Sequence, residues 1–162
     1  MTELTGCNIE VELEDAEIRN ATRVGLVRFD EANSRGYENK HGLGKSQQVI
    51  VHMVGARGEA AFCKAAGLVW PAHINTFMAP DVGEDIQIQT RTKDYYDLIV
   101  RPNDNELHRF VLVLGLYRRF TIVGWIRGVD AKVKKFEKAY GNRPPAWFVP
   151  QKSLRHFPME HV

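Results

Sequence analysis

Two carboxylates, and the strand that follows them, carry most of the chemistry that can be read along this chain. Glu59 ends the run Gly55-Ala-Arg-Gly-Glu59, among the small and apolar residues Ala56, Phe62, Cys63 and Ala66. Asp81 opens the turn Asp81-Val-Gly83, and Asp85-Ile-Gln-Ile-Gln-Thr-Arg91 follows closely. A carboxylate among apolar side chains is costly unless it is paired, hydrogen-bonded or bound to a metal. An arginine ion pair or a backbone N–H contact would satisfy Glu59 equally well, so both alternatives stand at this point.

Side chains alternate faces along a strand. Asp85, Gln87, Gln89 and Arg91 therefore share one face, and Ile86, Ile88 and Thr90 the other. An ordinary amphipathic strand with a polar solvent face has the same pattern. The helix bearing Glu59 and the turn bearing Asp81, both just upstream, give this row its interest.

These residues need elements to position them. Ile9, Val11 and Leu13 alternate with polar residues and predict a short edge strand over 8–13. Asp15 is placed to cap a helix reaching about residue 33, with Ile18, Ala21, Val24 or Gly25, and Arg28 or Phe29 along a mostly apolar stripe. Glycines 36, 42 and 44 predict a mobile loop over 36–47. A second helix is expected over 47–66, central and covered on several sides, with His52 two turns before Glu59 on nearly the same face. Strands follow at about 84–91, 96–101, 109–117 and 120–127. Asp130 is expected to cap a basic helix over 131–140, and 146–149 forms a last short strand. The order predicts an α+β protein with a mixed central sheet of four to five strands flanked by helices. One domain over 1–162 is expected, with 1–46 as an N-terminal extension, 47–150 as the core and 151–162 as a tail.

Composition agrees with a globular protein. Hydrophobic residues make up 44% and charged residues 26%, and no apolar run approaches the roughly 18 residues of a membrane helix. The start, Met-Thr-Glu-Leu-Thr-Gly, lacks the features of a secretory signal, and two cysteines are too few for a disulfide framework. A cytoplasmic protein with reduced thiols is the expectation. The six histidines and two cysteines show no zinc spacing, and no phosphate loop or dinucleotide fingerprint occurs. Residues 1–31 hold three basic against eight acidic side chains, whereas 118–155 hold ten basic against two acidic. Such a basic half can concentrate a polyanion. Its candidate contacts are Lys132, Lys135 and Lys138 on the expected basic helix, with Arg118 and Arg119 at a strand connection.

The order of helix carboxylate, turn aspartate and polar strand resembles the PD-(D/E)XK nuclease superfamily, with its restriction-endonuclease-like αβββαβ core. Gly55 to Glu59, Val69-Trp70, Asn75-Thr-Phe77, Asp81-Val-Gly83 and Tyr96-Asp-Leu-Ile-Val-Arg101 resemble a group of uncharacterised bacteriophage proteins. Gly124-Trp-Ile126 and Asn142-Arg-Pro-Pro-Ala146 through Phe148-Val-Pro150 extend the likeness over most of the chain. The resemblance implies hydrolysis of DNA phosphodiesters with Mg²⁺, or Mn²⁺ in its place, in the host cytoplasm. It makes Glu59, Asp81 and Gln87 the metal ligands. Gln87-Ile-Gln89 stands where the superfamily carries Asp or Glu, any residue, then Lys. Gln87 keeps a carbonyl oxygen without the charge, and Gln89 lacks the cation, which Arg91 or Lys93 would have to supply. The departure favours an alternative: an inactive protein of nuclease fold, monomer or homodimer, that binds nucleic acid or a host protein.

Overall fold

The computed structural model describes residues 8–34, 44–74, 79–157 and 159. It is built in three layers: two helices, a four-stranded sheet and a small three-stranded sheet. The α+β class and the mixed, helix-flanked sheet are as expected.

Strand β1 (Ile9–Glu12) leads into helix α1 (Asp15–Ser34), and helix α2 (Lys45–Ala66) packs against α1. The cap of α1 falls one residue before the expected Asp15. Glu14 closes the end: its N–H donates to Glu17 Oε1 at 2.8 Å, and its carbonyl accepts from Ile18 N–H at 2.9 Å. Asp15 and Glu17 sit in the first turn, where acidic groups meet the positive end of the helix dipole. The helices cross at Gly25, where a Cβ would lie 2.6 Å from the Cα of Met53. Gly67 ends α2 in the left-handed region (φ 68°), and Leu68 N–H returns to the Cys63 carbonyl at 2.9 Å. The expected loop over 36–47 falls mostly outside the described residues; within them, α2 has already begun at Lys45.

The remaining strands are β2 (Ile86–Arg91), β3 (Leu98–Val100), β4 (Arg109–Gly115) and β5 (Arg119–Arg127), then β6 (Glu137–Lys138) and β7 (Ala146–Val149). The main sheet has the order β1-β5-β4-β2, antiparallel except for the β2–β4 pair. The small sheet has the order β3-β7-β6, all antiparallel. Alternation along β4 divides two cores. Val111 and Val113 face α2 with Phe62, Ile86 and Trp125; Phe110 and Leu112 face the small sheet with Leu98, Val100 and Val149. A register shift after Leu112 leaves Val123 as an extra residue in β5, so Ile122 and Trp125 both reach the helix side.

The expected helix over 131–140 does not form. A single turn, α3 (Gly128–Ala131), stops at Lys132; Val133 is extended, Lys134–Phe136 make one 3-10 turn, and Glu137–Lys138 pair with β7. Burial of Phe136 in the second core and the ladder to β7 outweigh a weak helical preference. The spacing of Val133 and Phe136, three apart, fits either conformation. The first and last described segments join the fold: β1 is an edge of the main sheet, Arg155 bridges to Trp125, and Leu154 and Met159 are buried. Among the described residues no helix is long and apolar enough to cross a membrane.

Candidate functional site

Helix α2 directs Glu59 toward α1, where it is only 6% exposed. Arg28, one turn beyond the Gly25 crossing, meets it with a two-pronged ion pair. Nη1 donates to Oε2 at 2.6 Å and Nη2 to Oε1 at 3.1 Å. Trp70 Nε1 also donates to Oε1, at 3.3 Å, and Arg28 Nε donates to the His73 carbonyl at 2.7 Å. One guanidinium therefore ties α1 to α2 and to the segment after it. His52, edge-on to Phe29, is held below the usual histidine range by burial and then by the Arg28 charge.

Asp81 is fixed by the tight turn into β2, with its N–H on the Ile86 carbonyl at 2.9 Å and its Oδ2 accepting from Ile88 N–H at 2.7 Å. Burial and then the Glu59 charge push its carboxyl up to about 7, against the pull of Ile88 N–H and Arg28. Buried Cys63 shares these surroundings; burial, Glu59 and Asp81 raise its thiol to about 12, which keeps it an unreactive core group. Glu59 and Asp81 thus lie within electrostatic reach of each other.

Gln87, Gln89 and Arg91 do not join them. Ile86 and Ile88 pack into the core beneath α2, and Thr90 lies against Gly58 of α2, leaving no room for a Cβ there. Gln87 and Gln89 pair with Phe110 and Leu112, whose side chains face the small sheet. The expected polar row is real, but it lies on the far side of β2 from Glu59. Gln87 Nε2 donates to the Ala79 carbonyl at 3.0 Å and approaches His108 Nδ1 at 3.4 Å. Gln89 mimics a ladder rung: its Nε2 donates to the Ile99 carbonyl at 2.9 Å and its Oε1 accepts from Ile99 N–H at 2.7 Å. Arg91 donates to the Asp97 carbonyl at 3.0 Å and lies 4.0 Å from the centre of the Tyr96 ring.

This arrangement does not fit the Mg²⁺ centre that the superfamily implies. Both Glu59 oxygens are taken by Arg28, one Asp81 oxygen is taken by Ile88, and Gln87 is on the other face. Among the described residues no three His, Cys, Asp or Glu side chains are grouped to hold a metal ion. Gln89→Lys, which would restore the superfamily's cation, is instead expected to destabilise the fold. Stranding the Ile99 N–H and carbonyl costs about 1–3 kcal/mol per group. Urea unfolding measures this, and unchanged stability would mean that water replaces the amide.

Asp81 makes stability depend on pH. Its folded-state pKa lies above the ordinary 3.8, so the folded protein holds this proton more tightly than the unfolded chain. The resulting stabilisation is full below about pH 4 and lost as pH rises through about 7. Asp81→Asn keeps an acceptor for Ile88 N–H without the charge. Its Tm relative to wild type is expected to climb between pH 5 and 8; parallel Tm curves would refute the assignment.

A second polar cluster lies at the start of β4. Asp85 accepts a two-pronged pair from Arg109, with Nε to Oδ2 and Nη2 to Oδ1 both at 2.8 Å, which holds its carboxyl below the usual range. With Asn105, His108 and Arg127 it borders an open cavity of about 460 Å³. Sequence reasoning missed His108 and Arg28. The signal for Arg28 was present: an arginine continuing an apolar helical stripe needs a buried anion.

The basic half is also redistributed. Lys132 donates to the carbonyls of Pro102 and Asp104, at 3.1 and 2.7 Å, and so serves as a strut. Arg118 pairs with Asp15, and exposed Arg119 lies 3.9 Å from Glu12. β5 spans nine residues, which puts these two arginines about 26 Å from its far end, where the lysines begin. Lys134, Lys135 and Lys138 are exposed with Arg143 and Lys152, and among the described residues none of the five is ion-paired.

Comparison with family models, with curated proteins and with solved structures found no match. Fold and side-chain geometry alone therefore define the class: a three-layer α+β protein with a closed internal ion pair and an open basic surface.

Proposed function

We propose that this protein binds nucleic acid and does not hydrolyse it. The observation that carries this reading is the set of five exposed cations between Lys134 and Lys152, none of them ion-paired among the described residues, around the small sheet. Unpaired surface cations can neutralise phosphates and release their counterions, which supplies most sequence-independent affinity. The closed Arg28–Glu59 pair supports binding without cleavage, because a metal centre built on Glu59 would first have to separate it. Titrating a labelled oligonucleotide by fluorescence anisotropy at rising salt tests the proposal. Affinity that falls log-linearly with salt is expected; absence of binding at low salt would reject the reading.

A further inference from the structure

The small sheet has one face against the main sheet and one outside. Leu98, Val100 and Val149 are fully buried on the inner face, with Trp147 packed beside them. Alternation puts the cross-strand partners Ile99 and Phe148, both half-buried, on the outer face, with exposed Lys138 opposite buried Ala146. Tyr140 folds onto Phe148 edge to face, with ring centres 5.0 Å apart, and is 55% exposed. A second exposed aromatic group sits where the chain enters β3: Tyr95 is 71% exposed and its ring centre is 5.0 Å from that of Tyr96. Cations accompany both groups. Arg91 stacks on Tyr96, exposed Arg101 follows β3 directly, and exposed Lys138 precedes Tyr140 by two residues.

From this placement we infer that the outer face of the small sheet is a platform for single-stranded nucleic acid. The inference rests on the nucleic-acid reading above and names its substrate class. Base stacking on aromatic rings flanked by cations suits single strands, because a duplex keeps its bases stacked inside and offers chiefly phosphates. Charge and aromatic exposure coincide here: the exposed cations flank a sheet face bearing Tyr140 and Phe148, whereas Arg118 and Arg119, at the other end of β5, pair with or lie near acidic groups. Tyr140 lies outside any strand and packs only at the surface, so its replacement leaves the cores intact.

The test compares an oligothymidylate with a mixed-sequence duplex of equal length, using fluorescence anisotropy on the full chain. Wild type is expected to prefer the single strand by at least about tenfold. Tyr140→Ala should weaken single-strand binding by about 5- to 150-fold, the range for losing one stacked base, with duplex binding and salt dependence unchanged. Tyr95→Ala should do the same more weakly, and Tyr117→Ala, at the other end of β5, should change nothing. Equal or tighter duplex binding, or a Tyr140→Ala protein that binds oligothymidylate like wild type, would overturn the platform while leaving nucleic-acid binding in place. Failure of both probes at low salt would overturn the nucleic-acid reading itself.

Discussion

Replacing Arg28 with alanine is expected to destabilise the protein by about 3–5 kcal/mol, the range for breaking a buried ion pair. The loss has two sources. Glu59 would lose its counter-charge in a nearly closed site, and α1 would lose its bond to the His73 carbonyl. Desolvation dominates, because an unpaired buried carboxylate forfeits its hydration without compensation. Adding Glu59→Gln to Arg28→Ala should therefore recover part of the stability by removing the stranded charge. Guanidinium unfolding of wild type, both single variants and the double variant gives the coupling directly. A loss below about 1 kcal/mol, the level of an exposed pair, would show that water reaches Glu59.

The second large effect concerns the basic surface. Changing Lys134, Lys135 and Lys138 together to glutamine should weaken oligonucleotide binding at least tenfold at low salt. The slope of log affinity against log salt should fall by about 2, since each phosphate contact on a single strand contributes about 0.7. All three side chains are exposed, so stability should be little changed. Lys132→Gln should behave differently: it removes a strut to Pro102 and Asp104, so its effect should appear in unfolding rather than in the salt slope. A triple variant with the wild-type slope would place binding elsewhere.

The elements were legible where periodicity was strong. The α1 stripe, the small-residue surroundings of α2 and the apolar runs of β4 and β5 each admit one local solution, and their ends fall within a few residues of expectation. The segment after β5 was not legible, because Val133 and Phe136 suit a helix as well as a 3-10 turn. The choice is made by contacts remote in sequence, with β7 and with the carbonyls of Pro102 and Asp104.

The site divided along the same line. Alternation correctly put Gln87, Gln89 and Arg91 on one face of β2, and Glu59 and Asp81 lie within electrostatic reach of each other. What alternation cannot tell is which face of a strand meets the helix. Ile86 and Ile88 decide that by packing beneath α2, and the polar row then turns toward the small sheet. The arginine pair, one of the solutions open to Glu59 from sequence, is the one present.

Binding without cleavage is tested most directly by incubating an end-labelled oligothymidylate with the protein and Mg²⁺ under conditions where anisotropy shows it bound, then sizing the strand on a denaturing gel. Recovery of the full-length strand from the complex is the predicted result. Shortening of the strand that requires Mg²⁺ and disappears in Glu59→Gln would contradict the account, because it would mean that Arg28 releases Glu59 to a hydrolytic centre.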